Sequence, residues 1–104
     1  MVDVDKAITS VVRTGKVVVG AEKTGASVKL KRVKLVILAS NCPRDTADEV
    51  TREAGIASIP VYVYQGTSLD LGEACGKPFP VSTMGVREMG DSDILNVLGL
   101  LNVE

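Results

Sequence analysis

Apolar residues along this chain follow two spacings, one helical and one extended, in alternating segments. Residues 4–12 carry apolar side chains at helical spacing, which predicts a helix capped by Asp3 and ended at Gly15. Three consecutive valines at 17–19 predict a short strand, and the composition of residues 22–32 predicts a second helix. The chain therefore begins as helix, strand, helix.

The remaining segments continue this alternation. They predict a buried strand at 34–39, a helix at 43–54 that ends at Gly55, and a strand at 59–64. A helix then begins at a Thr67–Asp70 capping box, runs to Cys75 and ends at Gly76. A strand at 81–86 and a last helix capped by Asp91 follow. Strands that alternate with helices indicate an α/β fold, with helices on both faces of a small sheet. The length suits a single domain over residues 1–104.

The order of the elements also predicts which loops meet. Loops that follow consecutive parallel strands lie at one edge of a sheet, so residues 20–24 and 41–45 should be neighbours. The loop at 76–80 precedes its strand. It reaches the same edge only if that last strand runs antiparallel to the others, which would make the sheet mixed.

The amino-acid composition excludes several kinds of catalytic and metal-binding site. The absence of histidine excludes Ser-His-Asp and Cys-His nucleophile pairs and histidine-ligated zinc. The two cysteines, Cys42 and Cys75, are too few for a thiolate zinc site and are expected to be packing residues. No apolar run is long enough to span a membrane, and residues 1–10 lack a signal-peptide pattern, so we expect a cytosolic protein. No catalytic residue, metal or cofactor is predicted.

Charge is distributed unevenly along the chain, although the net charge is only −1. Residues 6–34 hold eight basic residues and one acid, whereas residues 35–104 hold four basic residues and ten acids. This asymmetry predicts one basic face suited to a polyanion. The alternative is a solvated surface on which the charges are merely sorted unevenly.

The stretch VVVGAEKTGAS at 17–27 has some features of a phosphate-binding loop, but the match fails. From Gly15 the G-x-x-x-x-G spacing reaches Gly20, yet Lys23 and its threonine arrive two residues late. Three valines stand where such a loop needs a nest of backbone N–H groups. A small nucleotide- or phosphate-binding α/β enzyme therefore stays only as an alternative from another functional class.

Four segments occur in an order and spacing typical of a family: TGKVVVGAEKT, KLVILASNCP, YVYQGTSLDLGEACGKPFPVSTMGV and GDSDIL. Over residues 3–98 the chain resembles the archaeal and eukaryotic large-subunit ribosomal protein L-thirty-e family, part of the kink-turn-binding superfamily. The block QGTSLDLGEACGKPF is the most specific part. The resemblance implies a three-layer α/β/α sandwich around a four-stranded mixed sheet. It also implies binding to kink-turns, which are sharply bent RNA internal loops closed by sheared G·A pairs.

Carried over to this chain, the family's RNA surface falls on three loops. The implied RNA-binding residues are Gly20, Glu22, Lys23 and Thr24 in the first loop, Asn41, Pro43 and Arg44 in the second, and Gly76, Lys77, Phe79 and Val81 in the third. Lys23 would donate to guanine O6 and N7, and an exposed Phe79 would pack on a displaced base. Asn41 would bond a base edge or a phosphate, or would instead cap a helix.

The resemblance also implies a function. It indicates a noncatalytic structural component of the large ribosomal subunit in the cytoplasm, bound to a kink-turn of the large-subunit rRNA and to neighbouring ribosomal proteins, with no DNA or membrane partner. Another kink-turn ribonucleoprotein core protein of the same superfamily is the alternative within this class.

Overall fold

The computed structural model describes residues 4–90 and Ile94. Along residues 4–90, four helices and four strands alternate in the predicted order. They are α1 (Val4–Thr14), β1 (Lys16–Val19), α2 (Ala21–Lys29), β2 (Leu35–Leu38), α3 (Arg44–Ile56), β3 (Val61–Val63), α4 (Ser68–Ala74) and β4 (Thr83–Glu88). The helix predicted after Asp91 lies outside the described residues, apart from the buried Ile94.

The four strands form one mixed sheet in the order β1-β4-β2-β3. β4 is antiparallel to both of its neighbours, β1 and β2, and β2 is parallel to β3. β1 and β2 therefore run in the same direction on either side of β4. This is the antiparallel last strand on which the predicted meeting of the three loops depends.

Side chains of β2 alternate between the two faces of the sheet and reveal three layers. Leu35 and Ile37 are buried in a core with α1 and α4, whereas Val36 and Leu38 are buried in a second core with α2 and α3. The buried helix residues are Ala7, Ile8, Val11, Leu71 and Cys75 in the first core, and Val28, Val50 and Ala54 in the second. The predicted α/β fold, a three-layer α/β/α sandwich around a four-stranded mixed sheet, is confirmed.

Three helices end in the same hydrogen-bonded turn, a Schellman motif with one residue in the left-handed region. In α2, α3 and α4 that residue is Lys31 (φ 56°), Ser58 (φ 61°) and Gly76 (φ 72°). Its amide bonds back into the last turn, as in the 2.9 Å bond from Lys31 N to the Val28 carbonyl. The amide of the following residue donates to a carbonyl one position earlier in the helix. The donor and acceptor residues are Arg32 and Ser27 in α2, Ile59 and Ala54 in α3, and Lys77 and Gly72 in α4.

Two helix ends differ from the prediction because of these turns. α2 ends at Lys29, before the predicted boundary, and α3 runs through Gly55 to Ile56. Glycine is the usual residue for a left-handed turn. Here Lys31 and Ser58 adopt that conformation instead, so the glycine signal in the sequence indicates the wrong position for the end of α3.

β4 also starts later than predicted. The amide of Val81 donates to the carbonyl of Ser68 (2.9 Å), which ties Val81 to the start of α4 rather than to a neighbouring strand. Pairing with β1 and β2 then extends to Glu88. As a consequence, the loop before β4 lies against α4 and is longer than expected.

Candidate nucleic-acid interface

The sheet topology brings the three predicted loops to one edge, which we call the loop edge. β1 and β2 end there, and β4 begins between them. The amide of Gly20 donates to the carbonyl of Thr83, and the amide of Ala39 donates to that of Ser82, both at 2.9 Å. The segments after β1 and after β2 are therefore each hydrogen-bonded to the start of β4.

The segment after β1 turns directly into α2. Gly20 is the N-cap residue, with φ 107°, and no protein atom lies within 4 Å of the place that a Cβ would occupy. Glycine is needed here for the backbone angle rather than for space. Residues 16–19 form β1, so the phosphate-binding nest of a Walker A loop is absent, as the valines predict.

An open groove of about 500 Å³ at the loop edge collects the central site residues. It is lined by Lys23 from α2 and by Lys77 and Phe79 from the loop before β4. Phe79 is 50% exposed, which confirms the expectation that it lies on a loop surface rather than in the core. The groove thus combines two cationic side chains with one flat apolar surface.

Two of the predicted site residues are buried. Thr24 is fully buried, and Val81, which lies at the bottom of the groove, is 2% exposed. The Thr24 hydroxyl has no hydrogen-bond partner among the described residues, and its methyl group faces Gly85 of β4. Both side chains belong to the packing that supports the loop edge, and neither offers an exposed surface to a ligand.

Glu22 lies apart from Lys23. It lines a different groove, between α2 and α3, together with the acids Glu49 and Glu53 and with Lys29. Consecutive residues of a helix project about 100° apart, which separates the two side chains. The structure therefore does not bring Glu22 into the groove of Lys23 and Phe79.

Asn41 is exposed and has a structural partner on another element. Its Oδ1 accepts a 2.8 Å hydrogen bond from the amide of Ser68, the first residue of α4. It therefore caps a helix, although the helix is α4 rather than the adjacent α3, whose N-cap residue is Pro43. Its Nδ2 has no partner in the described part of the chain and is available as a donor at the loop edge.

Pro43 and Arg44 are exposed at the start of α3, on the same edge. The Arg44 side chain makes only a long contact with Asp48, 3.9 Å from Nε to Oδ2, and it is 92% exposed. A surface pair of this kind contributes little to stability. Arg44 is thus free to reorient toward an anion.

Gly72 positions the Phe79 loop, although it is not among the residues that the sequence predicts for the site. A Cβ on Gly72 of α4 would lie 2.2 Å from the carbonyl oxygen of Phe79. Only glycine lets the loop pack this closely on the helix. The available signal was a glycine inside an otherwise helical segment, SLDLGEA, where it is unfavourable unless packing requires it.

The predicted single basic face is wrong. Lys23, Lys77 and Arg44 lie at the loop edge, whereas Lys31 and Lys34 lie near the opposite edge, where β2 begins. The basic segment is continuous in sequence, but α2 and the following turn carry it from one edge of the sheet to the other. A charge count along the chain cannot show this separation.

Residues 4–90 and Ile94, the part of the chain that the structure describes, support neither metal binding nor a membrane-spanning helix. No group of three or more Cys, Asp or Glu side chains in this part of the chain could hold a metal ion. No helix in it is long and apolar enough to cross a membrane. Burial raises the pKa of the Cys75 thiol to about 11, which makes it unreactive.

Comparisons with known proteins agree with this fold. The chain matches the model of the Ribosomal protein L7Ae/L30e/S12e/Gadd45 family over residues 3–96. Large ribosomal subunit protein eL30 of Methanothermobacter thermautotrophicus is 43% identical over 97 residues, which are 93% of this chain and 99% of the relative. The protein of the same name from Methanobrevibacter smithii is 46% identical over 98 residues, 94% of this chain and 99% of the relative.

A solved structure of a protein with unknown function from Bacillus halodurans C has a TM-score of 0.82 to this chain, at 23% identity. The match covers 95% of this chain and 99% of the other. At that identity the likeness supports the fold alone. The family match and the eL30 relatives cover nearly the whole chain, and the chain therefore belongs to the Ribosomal protein L7Ae/L30e/S12e/Gadd45 family.

Proposed function

We propose that this protein is a noncatalytic structural component of the large ribosomal subunit that binds rRNA at a kink-turn. The relatives that cover nearly the whole chain carry the name large ribosomal subunit protein eL30, which supports the ribosomal assignment. The observation that carries the RNA assignment is the groove at the loop edge, in which Lys23, Lys77 and Phe79 lie together. Its place of action is then the ribosome in the cytoplasm.

The groove has the chemistry that a bent RNA internal loop requires. Bulged and unstacked bases are the parts of RNA that proteins read, because the major groove of an A-form duplex is too narrow for side chains. The ammonium group of Lys23 donates to guanine O6 and N7, and Lys77 neutralises a phosphate. The exposed ring of Phe79 takes a displaced base, a contact of about 1–3 kcal/mol.

Asn41 and Arg44 extend this surface along the edge. The Oδ1 atom of Asn41 is held by the amide of Ser68, so the amide donors of its Nδ2 are fixed in direction before any ligand arrives. A donor that is already ordered loses less entropy on binding than a mobile one. Arg44 adds a mobile cation for phosphate. Glu22, in the other groove, takes no part in this proposal.

The protein would act by selecting one RNA conformation. A kink-turn exists as bent and extended forms, and a ligand shifts such an equilibrium only by its difference in affinity for the two. The loop edge is held by the sheet and by α4, so it offers one shape. Bases displaced at a kink match this shape, and a straight duplex does not.

A paired titration tests the proposal. One RNA hairpin carries a kink-turn, and its partner has the sheared G·A pairs converted to Watson–Crick pairs, with length and charge unchanged. We expect the first to bind at least tenfold more tightly at physiological salt, measured by fluorescence anisotropy. Equal affinities would remove the kink-turn assignment and leave only nonspecific phosphate binding.

Lys23→Ala tests the groove itself. The loss of a guanine contact should weaken binding of the kink-turn RNA by about 1–3 kcal/mol. Lys29→Ala is the matched control, because Lys29 is an exposed lysine at the other end of the same helix. If both variants lose the same affinity, Lys23 contributes only general charge.

A further inference from the structure

The edge of the sheet opposite the loop edge is also basic. We call it the basic edge and define it by four exposed side chains: Lys31, Arg32, Lys34 and Arg87. Lys31 and Arg32 form the turn after α2, Lys34 precedes β2, and Arg87 lies near the end of β4. None of the four makes an ion pair among the residues that the structure describes.

The register of the sheet brings Lys34 and Arg87 to the same end of the β2 and β4 pair. Leu35 pairs with Val86, and the amide of Lys34 donates to the Val86 carbonyl at 2.7 Å. Lys34 precedes Leu35 and Arg87 follows Val86, so both cations adjoin the end of this ladder. Like charges that lie near each other repel. The fold therefore keeps an unfavourable concentration of positive charge here.

Two carboxylates near the basic edge, among the residues that the structure describes, have other cationic neighbours. Glu88 lies 3.7 Å from Lys16, so these two charges balance each other. Glu53 lines the groove between α2 and α3 and shares it with Lys29. Among the described residues, no carboxylate is recorded in an ion pair with any of the four cations of the basic edge.

Lys31 extends the positive charge of this edge into the turn after α2. It occupies the left-handed position of the Schellman turn, with φ 56°, where glycine is the most favourable residue. α4 uses Gly76 at the equivalent position. A lysine in this conformation weakens the helix end, yet it adds a cation beside Arg32.

The basic edge acts separately from the kink-turn groove. β4 joins the two edges, and a strand of six residues is about 20 Å long. The Debye length at physiological ionic strength is about 8 Å, so charges at one edge contribute little to an RNA bound at the other. None of the four residues of the basic edge is aromatic, which suits phosphates rather than bases.

We propose that the basic edge binds the phosphate backbone of a second RNA segment, without sequence preference, while the loop edge holds the kink-turn. This rests on the proposed function, because it assumes that the first RNA is a kink-turn at the loop edge. The protein then bridges two RNA segments across the length of its sheet. The occupant is a polyanionic duplex backbone, which matches four unpaired cations along an exposed edge.

The experiment uses the whole protein with its loop edge already occupied. The protein is saturated with an unlabelled kink-turn hairpin, and a labelled RNA duplex without internal loops is then added and followed by fluorescence anisotropy. We expect the duplex to bind this complex. The triple variant K31A/R32A/K34A should weaken duplex binding at least tenfold and lower the slope of log K against log[salt] by about two to three. Its affinity for the kink-turn hairpin should stay within twofold.

Three controls keep the result specific. The charge-preserving variant K31R/R32K/K34R should bind the duplex as the native chain does. Lys31→Gly should raise the Tm and weaken duplex binding, whereas Ser58→Gly, which relieves the same backbone strain at the end of α3, should raise the Tm and leave duplex binding unchanged. Poly-glutamate of equal charge should compete poorly with the duplex.

The opposite results would overturn the proposal. They are no duplex binding by the native complex, an unchanged affinity in the triple variant, or equal competition by poly-glutamate, which would indicate an acidic protein as the partner. A failed kink-turn titration is a separate outcome. It removes the proposed function at the loop edge and leaves the duplex measurement on the free protein to be judged by the same variants.

Discussion

At the scale of single residues, Asn41 has one side-chain atom bonded within the fold and one without a partner among the described residues. Its Oδ1 accepts from the Ser68 amide, and its Nδ2 remains available. Asn41→Asp keeps the acceptor and removes the donors, while it adds a negative charge at the loop edge. We expect affinity for the kink-turn RNA to fall at least tenfold with little change in Tm.

Asn41→Ala is the companion variant, because it loses the acceptor as well. Loss of a helix-capping oxygen costs about 1 kcal/mol of stability. RNA titrations and thermal unfolding of both variants separate the two roles. Normal RNA binding by the aspartate variant would show that Nδ2 is not a donor to the ligand.

Cys75 should make the fold sensitive to alkaline pH. Burial raises the pKa of its thiol to about 11, above its ordinary value of 9.0. Because the folded-state pKa is the higher one, the stabilisation is complete below pH 9 and is lost as pH rises toward 11. At pH 10.5 the free energy of unfolding should be about 2 kcal/mol lower than at pH 8 from this group alone.

The measurement is urea unfolding at both pH values, for the native chain and for Cys75→Ala. The variant should lose stability at pH 8, because it leaves a small cavity, but its pH dependence should be flatter. Tyr64 acts in the same direction, since burial and its hydrogen bond to Asp5 raise the pKa of its hydroxyl. An equally steep decline in the variant would assign the effect to Tyr64.

The sequence predicts the exposed members of the site better than the buried ones. Phe79 stands between two prolines in a loop, so its exposure follows from local signals. The burial of Thr24 does not, because it depends on which face of α2 meets β4 at Gly85. The role of Gly72 is unpredictable from local sequence for the same reason, because it arises from a contact with a loop that follows it in the chain.

At the scale of elements, α4 holds two of the three loops in place. Its first residue, Ser68, accepts from the amide of Val81 and donates to Asn41, and Gly72 makes room for the Phe79 carbonyl. The helix is therefore a rigid support for the binding surface, although it presents no residue of its own to the groove of Lys23.

Gly72→Ala tests this support. A Cβ that would lie 2.2 Å from a carbonyl oxygen forces the loop away from α4, and Phe79 moves with it. Affinity for the kink-turn RNA should fall at least tenfold, and stability should fall by about 1–3 kcal/mol. Titration and urea unfolding of the same sample give both values.

Gly55→Ala is the matched control. Gly55 is also inside a helix, but a Cβ there would meet no atom within 4 Å. This substitution should stabilise the protein by about 0.5–1 kcal/mol and leave RNA affinity unchanged. If Gly72→Ala bound RNA normally, the Phe79 loop would not depend on α4.

The elements themselves were predictable, whereas some of their ends were not. The capping box of Thr67 and Asp70 at the start of α4 was expected and is present. The ends of α2 and α3 were misplaced, because Lys31 and Ser58 adopt left-handed angles without being glycine. A local pattern shows where a helix is favourable, but tertiary packing decides where such an angle is tolerated.

At the scale of the whole molecule, α2 connects the two charged edges. Lys23 lies in its first turn at the loop edge, and Lys31 follows its last turn near the basic edge. The helix rests on β4 at Gly85, where a Cβ would lie 2.9 Å from Val33 Cγ1 and 3.2 Å from Thr24 Cγ2. This close contact sets the position of both cations.

Gly85→Ala should therefore disturb both edges together. We expect a loss of about 1–3 kcal/mol in stability, because the second core must yield to the added methyl group. Affinities for the kink-turn hairpin and for the duplex should both fall. Gly25→Ala on α2 itself, where a Cβ would meet nothing within 4 Å, should reduce neither. A change at only one edge would show that the ends of α2 move independently.

The position of β4 has a consequence for synthesis of the chain. β4 is the last strand along residues 4–90, yet it lies between β1 and β2 and carries the hydrogen bonds to Gly20 and Ala39. Until a ribosome has released the chain through Glu88, β1 has no neighbour in the sheet and the loops have nothing to align them. The loop edge therefore cannot assemble on the nascent chain until β4 has been synthesised, so synthesis of the strand through Glu88 must precede any binding there.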